Sequence, residues 1–229
     1  MNIFIAGATG YIGRHLGPEL IARGHAVRAL VRASSVSKLP NGAEAVLGDA
    51  LDASTFADRI APSDTFIQLV GVPHPSPAKA QQFREIDLVA IRESVRASVG
   101  TTIRHFIYLS VAHPAPVMKD YVAVRMEGER LLRESGIAAT FIRPWYVLGP
   151  GHRWPYALLP LYWIWSVFPR HRDTAARLYP VRLGDVVRTI ADAAGANANG
   201  IRIIEAGEIR AAATPIRPDA TSAPAHPPA

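Results

Sequence analysis

Short apolar runs alternate along the chain with longer segments in which apolar side chains recur at helical spacing. The runs are rich in Val, Ile and Phe, and the longer segments carry their polar residues on one face. This alternation is typical of βα units that build a parallel sheet. The predicted strands are 2–6, 26–31, 45–47, 65–70, 105–110, 139–143 and 202–204. The predicted helices are 11–23, 54–60, 77–99, 117–135 and 184–194.

Two segments depart from the alternation and define the predicted domain organisation. The residues from 154 to 169 are almost wholly apolar and aromatic, and those from 211 onward are mostly Ala and Pro. An Ala/Pro-rich segment has too few large apolar groups to offset the entropy lost on ordering. The sequence therefore predicts one domain over 1–210, a short substrate-binding cap inserted at about 150–182, and a disordered tail over 211–229.

Composition narrows the class of protein. The chain has 229 residues, 49% of them hydrophobic, a net charge of +6 and no cysteine. This excludes a disordered or fibrous chain, a disulfide framework and any thiolate chemistry. The beginning of the chain shows no signal-peptide pattern, so a cytoplasmic location is expected. The excess charge is almost all arginine and no nucleic-acid motif accompanies it, so no nucleic-acid partner is predicted.

A glycine-rich turn lies between the first predicted strand and the first predicted helix. Gly7, Gly10 and Gly13 have the G-x-x-G-x-x-G spacing, and another strand follows about 20 residues on. Glycines permit a tight turn and a close backbone approach, while the helix that follows offers free N–H groups and the positive end of its dipole. In this context the turn predicts a dinucleotide cofactor, with a plain βα turn as the alternative.

The end of the second strand bears on which dinucleotide is bound. A site selective for NAD usually carries Asp or Glu there, whereas this strand ends in Val31 and Arg32, with Ser34 and Ser35 following. A guanidinium and hydroxyls suit a 2′-phosphate. The sequence therefore favours NADP(H) over NAD(H), with a solvated surface arginine as the alternative reading of Arg32.

Several segments in combination resemble a known family. The GATGYIG turn, the strand VRALVR, the GDALD segment, the strand HFIYLS and the run FIRPWYVLGPG are similar to those of atypical short-chain dehydrogenase/reductases. Within that superfamily, the chain resembles the NAD(P)H-binding group that contains NmrA-like proteins and relatives of the Rossmann-type accessory subunit of complex I. The resemblance covers residues 1–205 and implies a Rossmann-type doubly wound parallel sheet with a short substrate-binding cap.

The resemblance also implies the cofactor contacts. The pyrophosphate would lie on the glycine-rich turn, the 2′-phosphate on Arg32, the adenine beside Asp49 and Ala50, and the rest of the cofactor along the loop after the fourth strand. The turn residues are Gly7, Thr9, Gly10, Tyr11, Ile12 and Gly13, and the loop residues are Leu69, Val70 and Gly71.

Active relatives carry a serine after the fifth strand and a Tyr-x-x-x-Lys motif on the next helix. Here the matching residues are Ser110, Tyr121 and Arg125, so the lysine is replaced by arginine. Arginine keeps the positive charge, but it is broader than an ammonium and cannot lose a proton to a relay. Two interpretations stay open: Tyr121 is a working acid/base with Ser110 orienting a carbonyl, or the site only binds a cofactor.

The remaining polar residues predict no further chemistry. Glu127 and Glu129 face different directions on a helix and have arginines nearby, which favours helical salt bridges. His113 is interpreted as a loop histidine. The histidines and carboxylates show no metal-ligand spacing, so no metal site is predicted. Ser110 lacks the G-x-S-x-G elbow of a hydrolase.

The aromatic segment is the candidate substrate region. It follows Arg143-Pro144, where the resemblance implies that the chain leaves the cofactor. Between residues 151 and 182 the net charge is +4, and the prolines and short length argue against a membrane span. A lid over an apolar pocket is one interpretation and a peripheral membrane contact is another. The predicted substrate-contacting residues are Trp145, Trp154, Tyr156 and Tyr162.

These expectations converge on an NADP(H)-dependent oxidoreductase that acts on a small apolar carbonyl or quinone-like substrate. Two alternatives remain from other classes. One is a non-catalytic NADP(H)-binding sensor, or an accessory or assembly protein of a respiratory complex. The other is a nucleotide-sugar epimerase or dehydratase, which the short aromatic cap disfavours. The sequence predicts no oligomeric state.

Overall fold

A computed structural model describes residues 1–150, 174 and 177–212 of the chain. Seven strands within these residues form one parallel sheet, in the order β3-β2-β1-β4-β5-β6-β9. They are β1 (Asn2–Ala6), β2 (Ala26–Val31), β3 (Glu44–Leu47), β4 (Thr65–Gln68), β5 (His105–Leu109), β6 (Ala138–Arg143) and β9 (Ile201–Glu205). Two short strands, β7 (Val147–Leu148) and β8 (Val181–Arg182), pair with each other.

Helices cover both faces of the sheet. The α-helices of the described residues are α1 (Gly13–Ala22), α2 (Ala80–Gln82), α3 (Val89–Ser98), α4 (Lys119–Ser135), α5 (Leu183–Gly195) and α6 (Ala206–Ala211). A π-helical segment, Phe83–Leu88, joins α2 to α3, and 3-10 turns lie at Ala33–Lys38, Ala53–Thr55, Ala57–Arg59 and Pro77–Lys79. The helix α1 packs against α5, and α3 packs against α4.

The pleat of the strands divides the core between the two faces. In β1, Ile3 and Ile5 belong to the core cluster beneath α1 and α5. Their neighbours Phe4 and Ala6 belong to the cluster on the other face, which holds Phe66 and several more aromatic rings. All of these side chains are buried, as expected when successive side chains of a central parallel strand point to opposite faces. The predicted Rossmann-type sheet is confirmed.

The strand order fixes where a ligand can enter. The order reverses between β1 and β4. From β1 the next strands, β2 and β3, are added on one side, whereas β4, β5, β6 and β9 are added on the other side. Loops that leave adjacent strands at such a point turn to opposite faces, and a crevice opens between them at the carboxyl edge. The glycine-rich turn follows β1 and the loop 69–71 follows β4, so both predicted cofactor segments lie at this crevice.

Three local predictions differ from the structure. The predicted helix 54–60 is wrong, because that stretch forms two 3-10 turns that bury Phe56 and Ile60. The predicted helix 77–99 is interrupted by the π-helical segment. The helix α6 was not predicted; it ends at Ala211, the first residue of the predicted tail, and residues 213–229 lie outside the described part.

Candidate functional site

The glycine-rich turn is shaped by contacts that only glycine permits. Gly7 has φ +92°, and a Cβ there would lie 2.9 Å from the carbonyl carbon of Leu69 and from the amide nitrogen of Val70. A Cβ on Gly13 would overlap the carbonyl oxygen of Gly7 and lie 2.6 Å from the Cα of Ala8. The turn after β1 is therefore pressed against both the start of α1 and the loop after β4.

The start of α1 presents backbone donors beside this turn. The Ile12 side chain forms no cap hydrogen bond, and the first turn of the helix contains no acidic residue. Within the described residues, the amide groups of Ile12 and Gly13 donate to no protein acceptor. Unpaired N–H groups at a helix N-terminus suit the oxygens of a phosphate. The predicted pyrophosphate turn thus fits a dinucleotide.

Arg32 lies at the end of β2, at the side of the crevice where the chain passes to the 3-10 turn Ala33–Lys38. Its side chain is exposed and forms no hydrogen bond or ion pair with the described residues, while its carbonyl accepts the amide of Ser35 at 2.8 Å. Asp49 and Ala50 follow β3, the strand next to β2. The Asp49 carboxylate accepts the amide of Leu51 at 3.0 Å, and Ala50 packs against the aromatic core.

The loop after β4 is held by polar side chains of β4 itself and of the π-helical segment. The amide of Val70 donates to Gln68 Oε1 at 3.0 Å, and that of Val72 donates to Asp87 Oδ2 at 2.9 Å. A Cβ on Gly71 would overlap Nη2 of Arg125 and lie 3.0 Å from Asp87 Oδ1. The glycine therefore makes room for a buried ion pair directly behind the loop.

This ion pair contains the arginine that replaces the lysine of active relatives. Arg125 is 3% exposed; its Nη2 donates to Asp87 at 2.6 Å and its Nη1 donates to the carbonyl oxygen of Leu109 at 2.9 Å. Burial raises the pKa of the Asp87 carboxyl above its usual value, although the charge of Arg125 and the amide of Val72 oppose the shift. The guanidinium is thus anchored to the end of β5 and to the π-helical segment.

Tyr121 lies half-buried one helical turn before Arg125 on α4. Its ring centre is 5.1 Å from the guanidinium carbon of Arg125 and 5.0 Å from the ring centre of Phe83. The spacing of four residues places Tyr121 and Arg125 on one face of the helix, as the sequence predicts. The arrangement places a permanent cation over the face of the phenol ring.

Ser110 is occupied by a different partner. Its hydroxyl donates to Glu129 Oε1 at 2.7 Å, and Arg143 donates to both Glu129 oxygens, at 2.8 and 2.5 Å. Burial opposes the charge of Glu129, but the hydrogen bonds from Arg143 and Ser110 prevail and hold its pKa below the usual value. In this arrangement the single hydroxyl proton of Ser110 is not available to a substrate oxygen.

The two glutamates form the predicted helical salt bridges, since Arg133 pairs with Glu129 at 3.4 Å across one turn of α4, and Glu129 has further buried partners that the sequence did not indicate. Glu127 forms the expected surface salt bridge with Arg130. Glu129, which was placed in the same class, is 3% exposed and lies within a cluster that also includes His113 Nε2 at 3.5 Å. Asp87 was not singled out at all. For Asp87 the available indication was a carboxylate with Phe83, Ala90 and Ile91 at helical spacing, whereas Glu129 has Arg125 and Arg133 at that spacing and gave no such indication of burial.

Apolar side chains surround the polar centre. Val72, Phe83 and Val124 form a buried cluster against which Met118 and Tyr121 pack. Trp145 is half-buried, packs against Ala112 and Leu178, and contacts the ring of Tyr146 edge-on at 5.5 Å. The other predicted substrate residues, Trp154, Tyr156 and Tyr162, lie outside the described residues, as does most of the predicted cap.

None of the helices in the described part of the chain combines the length and the apolar character required to cross a bilayer. Among the same residues, no three His, Asp or Glu side chains form a group that could hold a metal ion.

Comparisons with solved structures agree with the observed sheet. The Bordetella bronchiseptica enzyme WbmH, solved with NAD⁺, superimposes with a TM-score of 0.66 at 18% identity, over 95% of this chain and 83% of that one. A short-chain dehydrogenase/reductase superfamily protein from Agrobacterium tumefaciens, solved with bound NAD, gives a TM-score of 0.64 at 17% identity, over 90% of this chain and 77% of that one. At these identities the likeness shows the fold.

Sequence comparisons give the family. A ceramide reductase of Caulobacter vibrioides is 30% identical over 65% of this chain and 47% of its own length. A divinyl chlorophyllide a 8-vinyl-reductase of Oryza sativa is 28% identical over 62% of this chain and 39% of its own length. The chain therefore spans about half the length of these relatives or less. The sequence profile of the NAD(P)H-binding family matches residues 7–153, more than half of the chain. The chain belongs to this NAD(P)H-binding family.

Proposed function

We propose that this protein is an NADP(H)-dependent oxidoreductase that reduces an apolar carbonyl or quinone-like substrate. The observation that carries the proposal is the position of Tyr121, a half-buried phenol beside the fixed cation of Arg125, on the helix that follows β5. The relatives support the reaction class, since a ceramide reductase and a farnesyl-dihydroquinoline-oxide ketoreductase of Stigmatella aurantiaca act, by their names, on molecules with long apolar parts.

The cofactor part of the proposal uses the glycine-rich turn and Arg32. The amides at the start of α1 would hold the pyrophosphate, and the exposed guanidinium of Arg32 would pair with a 2′-phosphate. Asp49 and Ala50 would flank the adenine, and Leu69 to Gly71 would line the path between the adenosine and the reacting end. The Arg32 side chain is exposed and has no partner among the described residues, which supports its assignment to a ligand.

The chemical part of the proposal concerns proton transfer. When bound, the reduced cofactor supplies a hydride to the electrophilic carbon of the substrate. The Tyr121 hydroxyl donates its proton to the substrate oxygen, and the resulting phenolate is stabilised by Arg125. Since arginine keeps its proton, the phenolate is reprotonated from water rather than through Arg125. Ser110 orients the carbonyl once its hydroxyl turns from Glu129 towards the substrate.

The described surroundings of Tyr121 suit an apolar molecule. Val72 and Phe83 form the buried cluster against which Tyr121 packs, whereas the nearby charged groups of Asp87, Arg125, Glu129 and Arg143 are already paired with each other. A polar diphosphate sugar would need cations that face it, and the two arginines described near Tyr121 and Ser110, Arg125 and Arg143, are engaged in buried ion pairs. This favours a substrate that is recognised mainly by contact area.

A second candidate function is NADP(H) binding without catalysis, in a sensor or an accessory protein. The observation that favours it is the engagement of Arg125 and Ser110: both Nη atoms of Arg125 donate to protein acceptors, and the Ser110 hydroxyl donates to Glu129. A site arranged in this way holds a cofactor without presenting a serine donor to a substrate.

One experiment separates the two candidates. NADPH and NADH binding is measured by cofactor fluorescence, and turnover is screened with long-chain aldehydes, ketones and quinones, for the wild-type chain and for Tyr121→Phe. We expect NADPH to bind more tightly than NADH, and turnover to fall by about 100-fold or more in Tyr121→Phe, the range for loss of a general acid. Tight NADPH binding with no Tyr121-dependent turnover would establish the second candidate.

A further inference from the structure

Asp87 is the most deeply buried carboxylate near the candidate site, and no step described above uses it. The residue is 1% exposed and belongs to the π-helical segment Phe83–Leu88. A buried carboxylate is costly unless it is paired and fully hydrogen-bonded. Its partners therefore indicate why the chain retains it.

Two donors from different elements meet on its two oxygens. Arg125 Nη2, on α4, donates to Oδ1 at 2.6 Å, and the amide of Val72, in the loop after β4, donates to Oδ2 at 2.9 Å. An asparagine has only one acceptor oxygen and would leave one of the two donors unpaired. The geometry thus requires the carboxylate itself.

The backbone provides a third restraint on the guanidinium. Arg125 Nη1 donates to the carbonyl oxygen of Leu109, the last residue of β5. With Nη1 and Nη2 both anchored, the plane of the guanidinium has a single orientation, and its carbon lies 5.1 Å from the ring centre of Tyr121. Asp87 and Phe83 both belong to the π-helical segment. Asp87 binds this cation, and Phe83 packs on the ring of Tyr121.

We propose that Asp87 is a positioning residue, which fixes the Arg125 guanidinium over the ring of Tyr121 and joins it to the cofactor-side loop at Val72. The proposal rests on the proposed role of Tyr121 as the acid. Asp87 touches no substrate; it acts by keeping a cation that would otherwise sample several rotamers in the one position where it stabilises the Tyr121 phenolate. The same carboxylate links that position to the loop of Leu69 to Gly71.

The kinetic test uses Asp87→Asn, with Glu85→Gln as the matched control. Glu85 is an exposed carboxylate in the same π-helical segment and pairs with Gln81. In Asp87→Asn we expect kcat to fall by about tenfold or more, with KM for NADPH and for substrate changed by less than about twofold, because the loss occurs only in the proton-transfer step. Glu85→Gln is expected to keep the wild-type kcat.

A double-mutant cycle shows whether Asp87 acts through Tyr121. In the Tyr121→Phe background, Asp87→Asn is expected to cost no further activity, since the group that it positions is already gone. A loss of equal size in both backgrounds, or a change in KM alone, would overturn the proposal and leave Asp87 a purely structural residue.

A spectroscopic measurement keeps the test independent of turnover. With ¹³C-labelled tyrosine, the Tyr121 ring signal is identified by its absence in Tyr121→Phe. We expect Asp87→Asn to shift or broaden this signal and Glu85→Gln to leave it unchanged. If Asp87→Asn does not fold, Asp87→Glu keeps both buried charges, displaces the carboxylate by one methylene and should shift the same signal. An unchanged Tyr121 signal overturns the positioning role; a shifted signal in a chain without turnover upholds it and rejects only the proposed reaction.

Discussion

The hydroxyl of Ser110 donates to the carboxylate of Glu129, at 2.7 Å across 19 positions of sequence. The same carboxylate receives two hydrogen bonds from Arg143, whose other arm reaches Glu205 at 2.8 Å. Ser110 follows β5, Arg143 ends β6, and Glu205 ends β9, so one buried carboxylate on α4 connects the carboxyl ends of three adjacent strands. The serine that we propose to orient the substrate is held, in this arrangement, by the buried polar cluster at these strand ends.

Replacing Glu129 should be costly for stability. In Glu129→Ala the Arg143 guanidinium stays buried without its main partner, and the free energy of unfolding is expected to fall by about 3–5 kcal/mol. The matched control is Glu127→Ala, two residues earlier on α4, which breaks an exposed pair with Arg130 and should cost about 1 kcal/mol or less. Chemical denaturation measures both. A similarly small loss of unfolding free energy in the two variants would show that the buried cluster around Glu129 contributes little to stability.

The glycine-rich turn offers a test of cofactor binding that requires no turnover. In Gly13→Ala the added methyl overlaps the Gly7 carbonyl oxygen, so the turn must open and the amides at the start of α1 move. We expect the NADPH dissociation constant to rise by about tenfold or more. Gly207→Ala is the control, because a Cβ there meets no described atom within 4 Å. Equal NADPH affinity in the two variants would place the cofactor elsewhere.

Arg32 should decide between the two dinucleotides. Loss of a charge-assisted hydrogen bond to a phosphate costs about 1.5–3 kcal/mol, so Arg32→Ala is expected to weaken NADPH binding about 10- to 100-fold and to change NADH binding by less than about twofold. Arg104→Ala removes an exposed arginine just before β5, at the amino ends of the strands. It should alter neither the NADPH nor the NADH affinity. Isothermal titration calorimetry measures the dissociation constants of NADPH and of NADH for each of the two variants. If Arg32→Ala weakens both cofactors equally, the arginine does not read the 2′-phosphate.

A buried histidine predicts a loss of stability in mild acid. Burial, with a smaller effect of Arg202, lowers the pKa of His105 from 6.5 to about 4. An unfolded chain therefore binds a proton at His105 between pH 6.5 and 4 that the folded chain does not, so stability is present above this window and is lost as the pH falls through it. Between pH 7 and 5 the expected loss is about 2 kcal/mol from this group.

The control for this effect is His105→Gln, which retains a polar partner for the Thr140 hydroxyl that the His105 ring contacts at 2.9 Å. Urea denaturation at pH 7 and pH 5 should give a pH-dependent difference in the wild-type chain that is about 2 kcal/mol larger than in the variant. An identical pH dependence in the two chains would mean that His105 is protonated normally in the folded state.

The parts of the fold that local pattern determines were predictable. The central strands are continuous apolar runs and α4 has a clear helical period, so β1, β2 and the helix end at Gly136 follow from sequence alone. The segment 54–60 misled the prediction because Phe56 and Ile60 have helical spacing, whereas their burial is achieved by successive 3-10 turns. The short strands β7 and β8 pair across a long stretch of sequence and have no local signature.

The candidate site was predictable to a similar degree. Motif and spacing in the sequence were enough to single out the glycines of the turn, Arg32 and Tyr121 as candidates. The roles of Asp87, Glu129 and Arg143 depend on side chains that meet across 14 to 38 positions of sequence, which a one-dimensional pattern does not encode. The replacement of lysine by Arg125 was visible in the sequence, but its two anchors, Asp87 and the Leu109 carbonyl, were not.

The central claim is that Tyr121 transfers a proton while a hydride leaves NADPH, and isotope transfer tests it most directly. NADPH that carries two deuterium atoms at the reactive carbon of the nicotinamide is incubated with the chain and an apolar ketone, and the product alcohol is analysed by mass spectrometry. The account predicts one deuterium per product molecule with the wild-type chain, and a rate about 100-fold lower with Tyr121→Phe. Absence of deuterated product, or an equal rate with the Tyr121→Phe variant, would contradict it.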